Sequence, residues 1–100
     1  MTVLEVAQVD VLPGHEDAFE TDLLQAAATV LSRATGFIEF TSHGWGTERP
    51  SVYFFSVRWE TIADHTEGFR GSELFTEWRA LIGSHFTGPP VVEHFSHDQA

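Results

Sequence analysis

The chain of 100 residues contains no cysteine and no lysine. The first absence excludes disulfides, thiolate nucleophiles and cysteine-ligated metal or iron–sulfur centres. The second leaves five arginines against fifteen aspartates and glutamates, a formal net charge of -10. So acidic a surface repels phosphate backbones and anionic headgroups, and neither nucleic acid nor membrane is expected as a partner. No apolar run approaches the roughly 18 residues that span a bilayer. Glu5 and Asp10 interrupt the valine-rich start, so no signal peptide is expected there and the cytoplasm is the expected compartment. The glycine-rich phosphate loops GxGxxG and GxxxxGK[ST] are missing, which removes those routes to flavin and nicotinamide. HxH and HExxH spacings are missing too, and His94 and His97 stand three apart in a strand and tail. Neither a metal nor a cofactor is expected.

What is present reads as one globular unit over residues 1–100, with 42% hydrophobic and 13% aromatic residues. Thr2 to Leu12 is valine-rich and stops at Pro13-Gly14, a strand running into a turn. His15 to Arg33 spaces Phe19, Leu23, Ala26, Ala27, Val30 and Leu31 by threes and fours, an amphipathic helix ending near Gly36. Phe37 to Gly46 and Ser51 to Trp59 form a hairpin around Thr47-Glu48-Arg49-Pro50. A helical turn or two over Thr61 to Glu67, a break from Gly68 to Gly71 and a helix from Ser72 to about Gly83 follow. Pro89-Pro90 precedes a last strand, Val91 to Ser96. The order βαββ(αα)β predicts a ferredoxin-like α+β fold with an antiparallel sheet.

The strands carry apolar residues on both faces. Val52 and Phe54 share one side of the third strand, and Tyr53, Phe55, Val57 and Trp59 the other; the first strand has Val or Leu on each. A sheet with one wet face would alternate apolar with polar. The helices cover one face, and the other asks for the sheet of a second copy. A homodimer with the sheets packed face to face, closing into a barrel-like core, is therefore expected.

The residues able to do chemistry cluster between Arg58 and Phe86. Ile62, His65 and Phe69 fall on one helical stripe facing the interior, with Trp59 closing the strand before them. A histidine beside an indole in a partly dry cavity suits proton transfer near neutral pH, or a hydrogen bond within the core. Trp59 lines a site or fills volume. In the following helix Leu74, Trp78, Leu81 and His85 form one stripe, and Phe75, Arg79, Ile82 and Phe86 the next. Arg79 anchors an anionic substrate group or pairs with a surface acid. Trp59, His65 and a first-strand polar group such as Gln8 make the strongest reactive set, lining a hydrophobic pocket.

The segment VAQVDVLPGHEDAFE, the hairpin, the strand-end tryptophan of SVRWET, the helix GSELFTEW and the closing PPVVEHF resemble the antibiotic biosynthesis monooxygenase domain family over nearly the whole chain. The resemblance implies a homodimeric ferredoxin-like α+β barrel. It implies a cofactor-independent monooxygenase acting with dioxygen on an electron-rich aromatic such as a phenol, anthrone or quinol. His65 would then be the base, the Trp59 indole N–H and the Gln8 amide the oxyanion donors, and Phe40, Phe55, Phe69 and Trp78 the walls, with Arg79 and His85 nearby. Two other functions stay open. One is a non-catalytic dimeric small-molecule binder or stress-response protein. The other is a haem-binding or haem-degrading protein, for which Arg79, allowing a one-residue offset, is the nearest match to the family's histidine ligand and Gln8 at best matches its first-strand asparagine.

Overall fold

The computed structural model describes residues 2–97. Strand β1, Thr2–Asp10, is followed by helix α1, Glu16–Thr29, and by a 3-10 turn at Leu31–Arg33. Strands β2, Phe37–Trp45, and β3, Val52–Trp59, come next. A π-helical turn, Asp64–Phe69, helix α2, Glu73–Ile82, a 3-10 turn at Gly83–His85 and strand β4, Val91–His97, complete the chain. The sheet runs in the order β2-β3-β1-β4, with every neighbouring pair antiparallel. This is the ferredoxin-like α+β architecture that the element order predicts. No helix of the described residues is long and apolar enough to cross a membrane.

The apolar stripe of α1 explains why it docks where it does. Phe19, Leu23, Ala26 and Ala27 are buried, as are Val30 and Leu31 just beyond, so the predicted face is the one removed from water. Across from them β3 buries Tyr53, Phe55, Val57 and Trp59, and β1 buries Ala7 and Val9. Phe19 meets Tyr53 edge to face at 5.2 Å between ring centres.

The pairing register puts Leu4 opposite Phe95 and Gln8 opposite both Phe54 and Val91, on the face away from the helices. Within the single chain Phe54, Phe95 and Val91 there are 37, 50 and 62% exposed.

Several boundaries differ from the sequence expectation, each for a local reason. β1 stops at Asp10 because the backbone then turns toward the far end of α2: Val11 bridges Phe86, and the Leu12 N–H donates to the His85 carbonyl. Helix α1 tightens into its 3-10 turn before Gly36. The segment after Trp59 was expected to break from Gly68 to Gly71. It instead carries its helical turn through Phe69, closed by the Arg70 N–H donating to the His65 carbonyl five residues back. That wider turn starts too late to bury Ile62, which is 48% exposed, yet sets His65 and Phe69 on one buried side.

Gly36 decides where this π-helical turn sits. Its φ of 82° lies in the left-handed region, its carbonyl accepts from the Glu60 N–H at 2.8 Å, and a Cβ there would overlap the Asp64 side chain. The missing side chain thus lets the segment carrying His65 close onto the start of β2. Gly36→Ala is expected to lower the unfolding free energy by about 1–2 kcal/mol from the backbone alone, read in a urea melt. It should also shift the Trp59 environment by near-ultraviolet circular dichroism. Unchanged stability would show that the turn is positioned by other contacts.

Candidate active site

Between the helix-covered face of the sheet and α2 lies a cavity of about 510 Å³. Ala7, Val9, Phe55 and Val57 form its floor, and Phe69, Phe75, Trp78 and Ile82 its opposite wall. Thr87 to Pro90 and the side chains of Arg70 and Arg79 complete the lining. Apolar and aromatic walls with a few convergent polar groups are the usual make-up of small-molecule pockets.

Its polar centre is Glu5. β1 places this residue opposite Val57 of β3 and His94 of β4, in the alternating row that faces the helices, and only 6% of it is exposed. Trp59, wholly buried at the end of β3, donates its indole N–H to Glu5 Oε1 at 3.0 Å. His65, 4% exposed, stacks on that indole at 5.1 Å between ring centres and sets Nε2 3.4 Å from the same oxygen. Its Nδ1 lies 2.7 Å from Nε2 of the half-buried His94.

Burial governs the charges here. It lifts the Glu5 carboxyl from 4.5 to about 7, against the Trp59 hydrogen bond and the Arg70 charge, which pull it down. Burial, followed by the charge of Arg70 and by His94, lowers His65 from 6.5 to about 3. His94 is lowered as well, again by burial first and Arg70 second. Glu5 and His65 are therefore within ion-pair distance without forming an ion pair at neutral pH. His65 is neutral, and Glu5 exchanges a proton around pH 7.

The sequence-predicted residues divide clearly. His65, Phe69, Phe55, Trp78 and Arg79 line this cavity, and Trp59 stands behind the lining, stacked on His65. Gln8 does not: it is exposed, and β-strand alternation sends its side chain to the opposite face, beside Arg49, Val52 and Phe54. The polar first-strand group is Glu5, three residues earlier. Phe40 lies outside the lining, stacked on Phe55 of the floor at 5.9 Å. His85 is also outside the cavity, with Nδ1 3.0 Å from His15 Nδ1 and Nε2 2.8 Å from Asp22. Nor is the Trp59 N–H free for a ligand oxyanion, because Glu5 occupies it.

Glu5 escaped the sequence reading because a lone acid in a valine-rich strand marks a solvent-facing position as readily as a buried one. The signal available was its odd-numbered register with Ala7 and Val9.

The raised Glu5 pKa carries a stability consequence. Between pH 4.5 and about 7 the folded state holds a proton that the unfolded chain has released, so ionising Glu5 costs stability as pH rises through that window. Glu5→Gln keeps an acceptor for Trp59 and removes this cost. Its stability relative to the parent chain should grow by roughly 3 kcal/mol from the acid to the neutral end of the window. Urea melts at both ends measure it, and a constant difference would mean that Glu5 titrates normally.

With the geometry in view, comparison with known proteins is informative. The sequence model of the antibiotic biosynthesis monooxygenases matches residues 2–81. The Bacillus subtilis (strain 168) protein YczJ, itself uncharacterized, is 42% identical over 93 residues, covering 93% of this chain and 96% of YczJ. A crystal structure from Bordetella bronchiseptica, named for the antibiotic biosynthesis monooxygenases, superposes with a TM-score of 0.89 at 36% identity, over 98% of each chain. SnoaB, a cofactor-independent oxygenase from Streptomyces nogalater solved as a mutant, shares the fold with a TM-score of 0.75 at 17% identity, over 99% of this chain and 95% of its own. A match of this extent, on a sheet and helices arranged as described, places the chain in the antibiotic biosynthesis monooxygenase family.

Proposed function

We propose that the protein is a cofactor-independent monooxygenase that oxidises an electron-rich aromatic, a phenol, anthrone or quinol, within the cavity between the sheet and α2. One observation carries the reading: a carboxyl that is almost wholly buried, and whose pKa that burial raises, stands at the edge of an aromatic-walled slot. Ground-state dioxygen reacts slowly with closed-shell molecules, whereas an organic anion reduces it by one electron. The protein's task is then to make the anion, stabilise it and keep water away.

Glu5 is the proton acceptor in this scheme. His65, held neutral down to about pH 3, orients Glu5 and does not itself take the substrate's proton. Arg70 and Arg79 supply positive charge to the developing oxyanion, the role first assigned to Trp59 and Gln8. Phe55, Phe69 and Trp78 hold the planar ring system. For an anthrone-like substrate, Glu5 removes one methylene proton and the carbanion passes an electron to dioxygen. The two radicals combine to a peroxide, whose O–O bond breaks as the second C–H proton leaves. A methylene and dioxygen thus become a carbonyl and water, with no external reductant.

The same proposal extends to the assembly. Phe54, Val91 and Phe95 stand exposed on one sheet face, and the sheet of a second copy supplies a matching apolar cover.

Two measurements test these statements. Glu5→Gln should lower oxygen uptake with an anthrone or quinol by roughly 10²-fold or more, while circular dichroism shows the fold kept. Turnover equal to that of the parent chain would sink the role of Glu5. Sedimentation equilibrium at micromolar concentration should return twice the 11.2 kDa chain mass, with Phe95→Glu shifting it toward the monomer. A monomeric parent chain would refute the face-to-face pair.

A further inference from the structure

We infer that His65 and His94 form a proton relay that joins Glu5, inside the cavity, to the outer strand of the sheet. The inference deepens the reading of Glu5 as the cavity's proton acceptor and rests on it. A ligand filling the slot cuts Glu5 off from the water that enters by the cavity mouth. A second path then sets whether the carboxyl is ionised when the ligand is already bound.

The geometry supplies that path. Glu5 and His94 are register partners on neighbouring strands, so their side chains rise from the same face of the sheet. His65 reaches over from the π-helical turn and offers one ring nitrogen to each, 3.4 Å from Glu5 Oε1 and 2.7 Å from His94 Nε2. The first separation needs to shorten by roughly half an ångström to become a hydrogen bond, as polar contacts in unliganded sites commonly do. Burial eases along the series, from nearly sealed Glu5 and His65 to half-buried His94 on β4, the edge strand.

The remaining groups around the three are the Trp59 indole from β3, Phe69 from the π-helical turn and Arg70 just after it. Arg70 is the permanent charge among them and opposes a second positive charge on either imidazole. Transfer therefore proceeds through neutral rings.

The proton count closes without any ring turning over. With Glu5 ionised, its carboxylate accepts from His65 Nε2–H, and His65 Nδ1 accepts from His94 Nε2–H. A proton arriving at His94 Nδ1 moves the Nε2 proton of His94 to His65 Nδ1 and the Nε2 proton of His65 to Glu5. Both rings end as Nδ1–H tautomers and Glu5 as a carboxylic acid. The reverse sequence empties Glu5 to solvent, leaving the carboxylate ready to take a proton from the bound ligand.

The test reads tautomers directly, by nitrogen-15 NMR of histidine-labelled protein titrated through neutral pH. His65 and His94 should reverse tautomer together, with one midpoint shared with the Trp59 indole N–H signal, and Glu5→Gln should abolish the reversal. Independent titration of the two rings, or no reversal, would overturn the relay.

A kinetic measurement uses His94→Gln, which keeps a hydrogen-bonding group but carries no proton onward. With the cavity filled by naphthalene, exchange at Glu5, read from the Trp59 indole signal, should slow on the order of tenfold or more. With the cavity empty it should match the parent chain. An unchanged rate in the filled state would equally overturn the relay. Neither readout requires turnover, so a parent chain that consumes no oxygen would count against the oxygenase reading alone.

Discussion

A carboxyl group buried beneath a helix of a 100-residue chain must be neutralised, hydrogen-bonded or both. The indole N–H of Trp59, donating to Glu5, meets that demand, and much of the site's geometry follows from it. The bond needs Trp59 at the end of β3, with its ring turned under the π-helical turn. That ring is the surface on which His65 stacks, and Phe69, four residues on in the same turn, leans on it at 5.8 Å. Removing the indole would take from the buried acid its 3.0 Å hydrogen bond and from the histidine its platform.

The same bond accounts for the site's chemical bias. One neutral donor lowers the pKa of Glu5 by less than burial raises it, and the charge of Arg70 does not close the gap. A salt bridge in place of the indole would hold Glu5 ionised and inert at every physiological pH. Burial with a single weak partner leaves the carboxyl poised near neutrality, where it can both take and return a proton. His65 loses basicity in its dry position, so burial makes the residue with the more familiar acid–base reputation the poorer proton acceptor of the two.

Much of the fold was legible because its determinants are local. The threes and fours from Phe19 to Leu31 mark the buried face of α1, and the two-residue alternation of Tyr53, Phe55, Val57 and Trp59 marks the inner face of β3. Pro13-Gly14 and Gly36 mark turns by backbone chemistry alone, Gly14 and Gly36 both adopting positive φ. The π-helical turn was not legible. Its hydrogen bonds span five residues, and a wheel drawn at 3.6 residues per turn places Ile62 inside when it is largely in water.

By itself the sequence determined the α+β order of elements, the apolar faces of the sheet and the aromatic cluster around Trp59, Phe69 and Trp78, because each depends on spacing along one segment. Tertiary structure decided the partners: Glu5 over Gln8 as the polar group of the first strand, His94 as the neighbour of His65, and His85 set apart beside Asp22. Those choices turn on strand register and on the tightness of one helical turn. A shift of a single residue in the strand sends a side chain to the other face of the sheet, one in the turn swings it away from the interior, and its pKa follows its burial.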